Sequence, residues 1–247
     1  MLNYLSFNET SKIPPIVILH GWGGSIKSLK KLGEKLKNKV SNPIYILDLP
    51  GFGLSPLPQK LMTTEDYKNS VKHFMQEKKL QNTILIGHSF GGKISLSFAT
   101  SKEKNISKMI LINSSGIKPK NNLKKKFAQI IKTIIPKTLQ KNNLLKKFFY
   151  YYVLRERDYL KAGELKQSLS QIVNEHFDNE LANTEIPVLI IWGVKDQYVP
   201  LWMGEKLQNF IPNSTFITVD EGGHDLPIKH PELVSEIISN WLKNKIK

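Results

Sequence analysis

A stretch of five residues, Gly87-His88-Ser89-Phe90-Gly91, constrains the fold of this chain more than any other feature. It follows the apolar run Thr83-Ile84-Leu85-Ile86 and precedes a helix-like stretch over residues 92–100. A serine between two glycines, where a strand gives way to a helix, implies a sharp turn that lifts the side chain clear of the backbone. Such a turn strains the serine, and bulky neighbours would clash, so small residues are needed on both flanks. The pattern predicts that Ser89 stands exposed at the carboxyl end of a strand, its Oγ at the top of a sheet.

The rest of the chain supplies that sheet. Short runs rich in Ile, Val and Leu at 16–19, 44–47, 83–86, 109–112, 188–192 and 215–219 alternate with helical patterns at 26–38, 64–78, 89–100, 202–210 and 231–244. Runs without polar alternation suit strands buried on both faces. The alternation therefore predicts an α/β fold, a mainly parallel sheet with helices on both faces. Thr64 and Pro231 stand where helices start. The rhythm breaks between Gly116 and Thr184, where no strand pattern occurs. Leu123, Phe127, Ile130, Ile131, Ile134 and Ile135 recur at helical spacing, and Pro136 interrupts them. A second stripe comprises Leu144, Leu145, Phe148, Phe149, Tyr152 and Val153, and a third helix is expected over 159–174. The expected organisation is a core of residues 1–116 and 185–247 with a helical lid insertion, 117–184, over the carboxyl ends of the strands. Phe148 and Phe149 are expected to line a substrate pocket there.

The candidate chemistry lies in loops after strands, where open α/β sheets place their sites. A serine becomes a nucleophile only beside a base, and the base needs an orienting carboxylate. Asp196 lies in Gly193-Val194-Lys195-Asp196-Gln197-Tyr198-Val199-Pro200, after the run at 188–192. His224 lies in Glu221-Gly222-Gly223-His224-Asp225, after the run at 215–219. Asp220 and Asp225 are competing acids, but a residue adjacent to His224 is poorly placed to orient its ring. No metal-ligand cluster or nucleotide-binding glycine motif is evident, so neither a metal nor a cofactor is expected.

Composition sets the remaining bounds. The chain has no cysteine, which excludes disulfides and thiolate metal sites. No apolar stretch of signal-peptide length occurs in residues 1–12, and none approaches the roughly 18 residues of a spanning helix. A cytoplasmic location is expected. The net charge is +15 and the pI about 9.7. Residues 117–161 carry 11 Lys with Arg155 and Arg157 against Glu156 and Asp158, a net +11. That basic segment suits an anionic membrane surface or an acidic carrier protein, although a solvated Lys-rich lid is the plainer reading. No nucleic acid is expected, because no recognised module is present and the aromatics fall mainly on the apolar stripes.

Taken together, His20-Gly21-Trp22-Gly23, Asp48-Leu49-Pro50-Gly51-Phe52-Gly53-Leu54-Ser55, the elbow around Ser89, residues 193–200 and Gly222-Gly223-His224 resemble the α/β-hydrolase superfamily over nearly the full length. The resemblance implies a nucleophile, acid and base in the order Ser89, Asp196, His224. It also implies an oxyanion hole formed by the backbone N–H groups of Trp22 and Phe90. His20 and His88 are read as structural support. The implied activity is cofactor-free hydrolysis of a small-molecule carboxylic ester through an acyl-enzyme. Ser89 differs from the Asp at the elbow of haloalkane dehalogenases and epoxide hydrolases. The His-Gly-Trp resembles acyl-carrier-protein methyl esterases, whose elbow usually carries Trp where His88 stands here. The elbow also resembles carbon–carbon bond hydrolases and haloperoxidase-like members. A non-catalytic ligand-binding protein on this fold is the alternative from another class.

Overall fold

The computed structural model describes residues 1–101, 103–118, 163–178 and 180–244. The two apolar stripes at 123–135 and 144–153, Pro136, Phe148, Phe149 and most of the basic segment lie outside the described residues.

The strands are β1 (Tyr4–Phe7), β2 (Ile16–Leu19), β3 (Ile44–Leu47), β4 (Thr83–His88), β5 (Ile106–Ile112), β6 (Val188–Gly193) and β7 (Ser214–Val219). They form one sheet in the order β1-β3-β2-β4-β5-β6-β7. All neighbours are parallel except β1, which runs antiparallel to β3. β1 is not among the strands expected from the sequence. It is a half-buried edge strand of four residues, Tyr-Leu-Ser-Phe, too short and mixed to announce itself. β5 begins at Ile106, before the expected 109, because Ser107 and Lys108 hide its first turns of pleat in polar side chains.

The helices are α1 (Ile26–Lys37), α2 (Thr64–Glu77), α3 (Phe90–Thr100), α4 (Gly163–Val173), α5 (Leu201–Phe210), α6 (Leu226–Lys229) and α7 (Pro231–Leu242). The two faces of the sheet follow from the two-residue period of its strands. Ile16, Ile18, Ile44, Ile46, Ile84, Ile86, Ile110 and Ile112 face one way and pack on Leu29, Leu32 and Leu36 of α1 and Val234, Ile237 and Ile238 of α7. Val17, Leu19, Leu47 and Leu85 face the other way, against Tyr67, Val71 and Phe74 of α2 and Phe90, Ile94 and Phe98 of α3. Met109, Leu111, Val188, Ile190 and Trp192 extend that second face to Met203 and Leu207 of α5. Each such aliphatic chain contributes about 1.5–3 kcal/mol when fully buried.

Thr64 opens α2 as expected, and the cap itself is Thr63. Its side chain accepts from Asp66 N, while Asp66 accepts from Thr63 N at 2.9 Å. A hydrogen bond from Lys60, together with those from Thr63, holds the Asp66 carboxyl down at about 2. α4 lies within the segment expected to form the insertion. Its Leu165 and Ile172 join the core beside Phe52, Tyr67 and Phe90, and Ser168 Oγ accepts from Met62 N at 2.9 Å.

The chain runs from β2 leftwards to β3 and then returns past β2 to β4, so the order reverses between β2 and β4. The crevice at such a reversal, outside the carboxyl ends of the strands, is where open α/β sheets bind ligands. The loop after β2 and Ser89 after β4 flank it.

Candidate active site

Ser89 is the single residue between β4 and α3. Its backbone has φ 52° and ψ −110°, a conformation that costs a non-glycine residue on the order of 1–3 kcal/mol. The surroundings enforce it. Ser89 N donates to Ile112 O at 3.0 Å, and Ser89 O accepts from Lys93 N and Ser115 N, both at 3.1 Å. The flanking glycines are required by space. A Cβ on Gly87 would stand 2.4 Å from Gly91 O, and one on Gly91 would stand 2.3 Å from Leu19 O. The strand, the helix start and the neighbouring strand thus pack backbone against backbone around the serine.

The structure brings the three residues expected from the sequence into one hydrogen-bonded line. His224 Nε2 lies 3.0 Å from Ser89 Oγ, and His224 Nδ1 lies 2.8 Å from Asp196 Oδ2. The Asp196 side chain is fully buried and the His224 ring partly exposed. Asp196 Oδ1 accepts from Tyr198 N at 2.8 Å and Val199 N at 2.9 Å. With the acid's side of the ring engaged through Nδ1–H, Nε2 is left to accept from the serine hydroxyl. Of the competing acids, Asp225 pairs with Lys229 at 2.9 Å and does not engage the His224 ring.

Asn113 is a site residue that the sequence reading missed. It follows β5, is fully buried, and adopts φ 45°. Its Nδ2 donates to Asp196 Oδ2 at 2.6 Å and to Gly223 O at 2.8 Å, and its Oδ1 accepts from Gly193 N at 2.9 Å. The available signal was a polar Asn-Ser-Ser directly after an apolar strand, in the same position along its strand as Ser89 after β4.

His88 and His20 are both buried. His88 Nε2 donates to His224 O at 2.7 Å, supporting the loop that carries His224. Burial, with His224 nearby, drives its pKa down to about 3. His20 Nδ1 donates to Gly21 O at 2.7 Å and Nε2 accepts from Leu49 N at 3.0 Å, which defines its neutral tautomer. Burial lowers its pKa to about 4 against the opposing effect of Gly21 O. Asp48 joins the same scaffold, accepting from Ile26 N at 2.7 Å and from Asn3 Nδ2 at 2.6 Å.

The loop after β2 abuts Ser89. A Cβ on Gly21 would stand 3.2 Å from Ser89 Cβ. The next residue, Trp22, packs edge-on against Phe90 with ring centroids 5.2 Å apart and against Phe52 at 5.1 Å. Trp22 and Phe90 therefore meet beside Ser89. Tyr67 stacks edge-on against Phe90 at 5.0 Å, and burial pushes its phenol up. Among the described residues, no group of three or more His, Cys, Asp or Glu could hold a metal ion. No helix there is long and apolar enough to cross a membrane.

This arrangement of sheet, elbow and strand-end loops defines a class. The family model described as the alpha/beta hydrolase fold matches residues 14–144 and 155–231, and the chain belongs to that family. The chain is 29% identical over 256 residues to an uncharacterized hydrolase, YugF, of Bacillus subtilis, covering 92% of this chain and 89% of that protein. It is 29% identical over 247 residues to Lipase 3 of a Moraxella species, covering 88% of this chain and 73% of the lipase. Among solved structures it superposes on a bacterial membrane phospholipase A with a TM-score of 0.81 at 20% identity, covering 98% of this chain and 82% of the other.

Proposed function

We propose that this protein is a cofactor-free serine hydrolase of small carboxylic esters, and that Ser89, His224 and Asp196 are its catalytic residues. The observation that carries the reading is the hydrogen-bonded line from Ser89 Oγ through the imidazole to a fully buried carboxylate. Relatives named as lipases support the ester as substrate class.

Ser89 Oγ attacks the ester carbonyl while His224 Nε2 takes its proton. Asp196 holds Nδ1–H and stabilises the imidazolium that forms. The backbone N–H groups of Trp22 and Phe90 receive the charge that develops on the carbonyl oxygen. One such donor contributes on the order of 2.7–4 kcal/mol in the transition state. His224 then protonates the departing alcohol, and an acyl group remains on Ser89. A water molecule, deprotonated by His224, releases the acid and restores the serine. Residues 117–184 act as a lid that sets the acyl length, with Phe148 and Phe149 on its pocket side. α4, whose Leu165 and Ile172 share a core cluster with Phe90, supports a place for the C-terminal part of this segment near the elbow.

The test is hydrolysis of p-nitrophenyl esters from acetate to palmitate, run beside Ser89→Ala, with fluorophosphonate labelling of the wild type. Turnover that vanishes in Ser89→Ala supports the reading. Wild-type turnover in Ser89→Ala sinks it.

A further inference from the structure

The buried amide of Asn113 makes a set of contacts that a filler residue would not. Its side chain has two N–H groups and one carbonyl, and it satisfies all three at once. One N–H goes to the carboxylate of Asp196, the other to the backbone beside His224, and the carbonyl takes the N–H at the end of β6. Its own N–H donates to Ile191 O at 3.0 Å, tying β5 to β6. Three elements are thereby joined: the end of the acid's strand, the acid's loop and the base's loop.

The contact with Asp196 is the informative one. Oδ2 is the oxygen that also receives His224 Nδ1, and Asn113 Nδ2 is the second donor to it. The other oxygen is held by two backbone N–H groups. With two donors on each oxygen, the carboxylate can neither rotate nor turn Oδ2 away from the imidazole. Only a planar side chain that donates twice and accepts once fits here. A left-handed backbone is one that asparagine tolerates well.

We propose that Asn113 is a positioning residue for the reaction of Ser89, aiming Asp196 Oδ2 at His224 Nδ1 and fixing the His224 loop at bonding distance from the serine. The proposal rests on the serine-hydrolase reading above. It acts through geometry, so it affects the chemical step rather than substrate binding. The titratable groups facing the amide are Asp196 and His224, with the buried His88 behind the His224 loop.

The experiment measures kcat, KM and the pH profile of p-nitrophenyl acetate hydrolysis for the full-length wild type, Asn113→Ala, Asn113→Asp and Ser89→Ala. Folding is checked by circular dichroism. Asn113→Ala should lower kcat by on the order of ten- to a hundredfold with KM nearly unchanged, the range of coupling within one hydrogen-bonded network. Asn113→Asp is nearly isosteric. Protonated, it donates to Asp196 as the amide does. Ionised, it adds a second negative charge beside His224 and raises the affinity of the imidazole for its proton. The acid limb of kcat/KM should therefore move to higher pH, a shift that loss of packing alone does not produce. Should one variant fail to fold, the other is read by the same criterion. The proposal is overturned if the folded variants keep wild-type kcat and acid limb while Ser89→Ala is inactive. Turnover in Ser89→Ala instead overturns the serine-hydrolase reading, and the role of Asn113 with it.

Discussion

The two sides of the candidate site are held by different forces. On the side of β5, β6 and β7, the loops are fastened by directed hydrogen bonds: four to Asp196, one of them from Asn113, two more at the Asn113 side chain, to Gly223 O and from Gly193 N, and one from His88 to the His224 loop. On the side of β2, the loop is held chiefly by rings, with Trp22 edge-on to Phe52, Phe90 and Tyr67. Hydrogen bonds fix direction to within tens of degrees, whereas apolar packing fixes position and is indifferent to small rotations. In the proposed mechanism, direction matters for proton transfer between Ser89 and His224, and position suffices for a loop that presents backbone N–H groups. Damage to the bonded side should therefore appear mainly in rate, and damage to the packed side mainly in stability.

The largest effect tests the bonded side. Ser89→Ala and His224→Ala should each lower kcat by on the order of 10⁵–10⁶ in ester hydrolysis, with thermal unfolding little changed. Asp196→Asn should cost about 10⁴, because its amide would present a donor to a ring that must itself donate from Nδ1. Steady-state kinetics and thermal melts of the same preparations measure both quantities. A large loss of melting temperature with modest loss of rate would reverse the comparison.

Next in size is the response to acid, which both sides share. His20, on the packed side, has its pKa lowered to about 4 by burial, and His88, on the bonded side, has its pKa lowered to about 3. Unfolded, each would titrate near 6.5. Between those values the unfolded chain binds protons that the folded chain refuses, so acid favours unfolding. The stability is present in full above pH 6.5 and declines as the pH falls toward 4. Each histidine should contribute a loss of about 2 kcal/mol between pH 7 and 4.5. Urea titrations across that range measure it, and His20→Gln or His88→Gln should each flatten the slope. An unchanged slope in both variants would assign the acid sensitivity elsewhere.

Trp22→Ala probes the packed side directly. Losing a partly buried aromatic side chain should cost less than the roughly 3–5 kcal/mol of a fully buried one, read as a lower urea midpoint. The folded fraction should keep its rate on p-nitrophenyl acetate to within about tenfold. A variant that keeps its stability but loses the rate would show that the ring also directs the loop.

How legible each side was in the sequence follows from the same contrast. Ser89, Asp196 and His224 could be found because each follows a long apolar strand and sits beside glycines that mark close approaches. Asn113 also follows such a strand, but nothing in a single asparagine says that its amide will reach Gly193, Asp196 and Gly223 across the sheet. Those partners are 80 to 110 residues away in sequence. Trp22 and Phe90 could be named from the turn and the elbow, whereas the edge-on stack with Tyr67 and Phe52 depends on packing that no local pattern encodes. β1 was missed for a related reason: its stability comes from pairing with β3, not from its own four residues.

The smallest expected effect concerns a polar fastening beside the aromatic cluster. Lys93 of α3 is buried, and its Nζ donates to Ile172 O at 2.5 Å and Glu175 O at 2.8 Å at the end of α4. Glu175 in turn accepts from Thr64 N, at the start of α2, at 3.0 Å. Lys93 thereby ties α4 to the core beside the aromatic cluster. Burial lowers its pKa to about 8, against the pull of Glu175, from 10.5. As pH rises from 8 toward 10.5, the folded protein sheds a proton that the unfolded chain retains, so this residue contributes a gain in stability with rising pH. The gain should be about 2 kcal/mol between pH 7 and 9.5. Lys93→Met keeps the length of the stem and removes the charge. Its loss of two hydrogen bonds offsets the relief of a buried cation, so stability at pH 7 should stay within about 1 kcal/mol of wild type. The upward slope should be lost, as measured by the difference between wild-type and variant urea midpoints across that range. A difference that does not vary with pH would mean that the amine is solvated in solution, and that Leu165, Ile172 and the Ser168–Met62 hydrogen bond hold α4 without it.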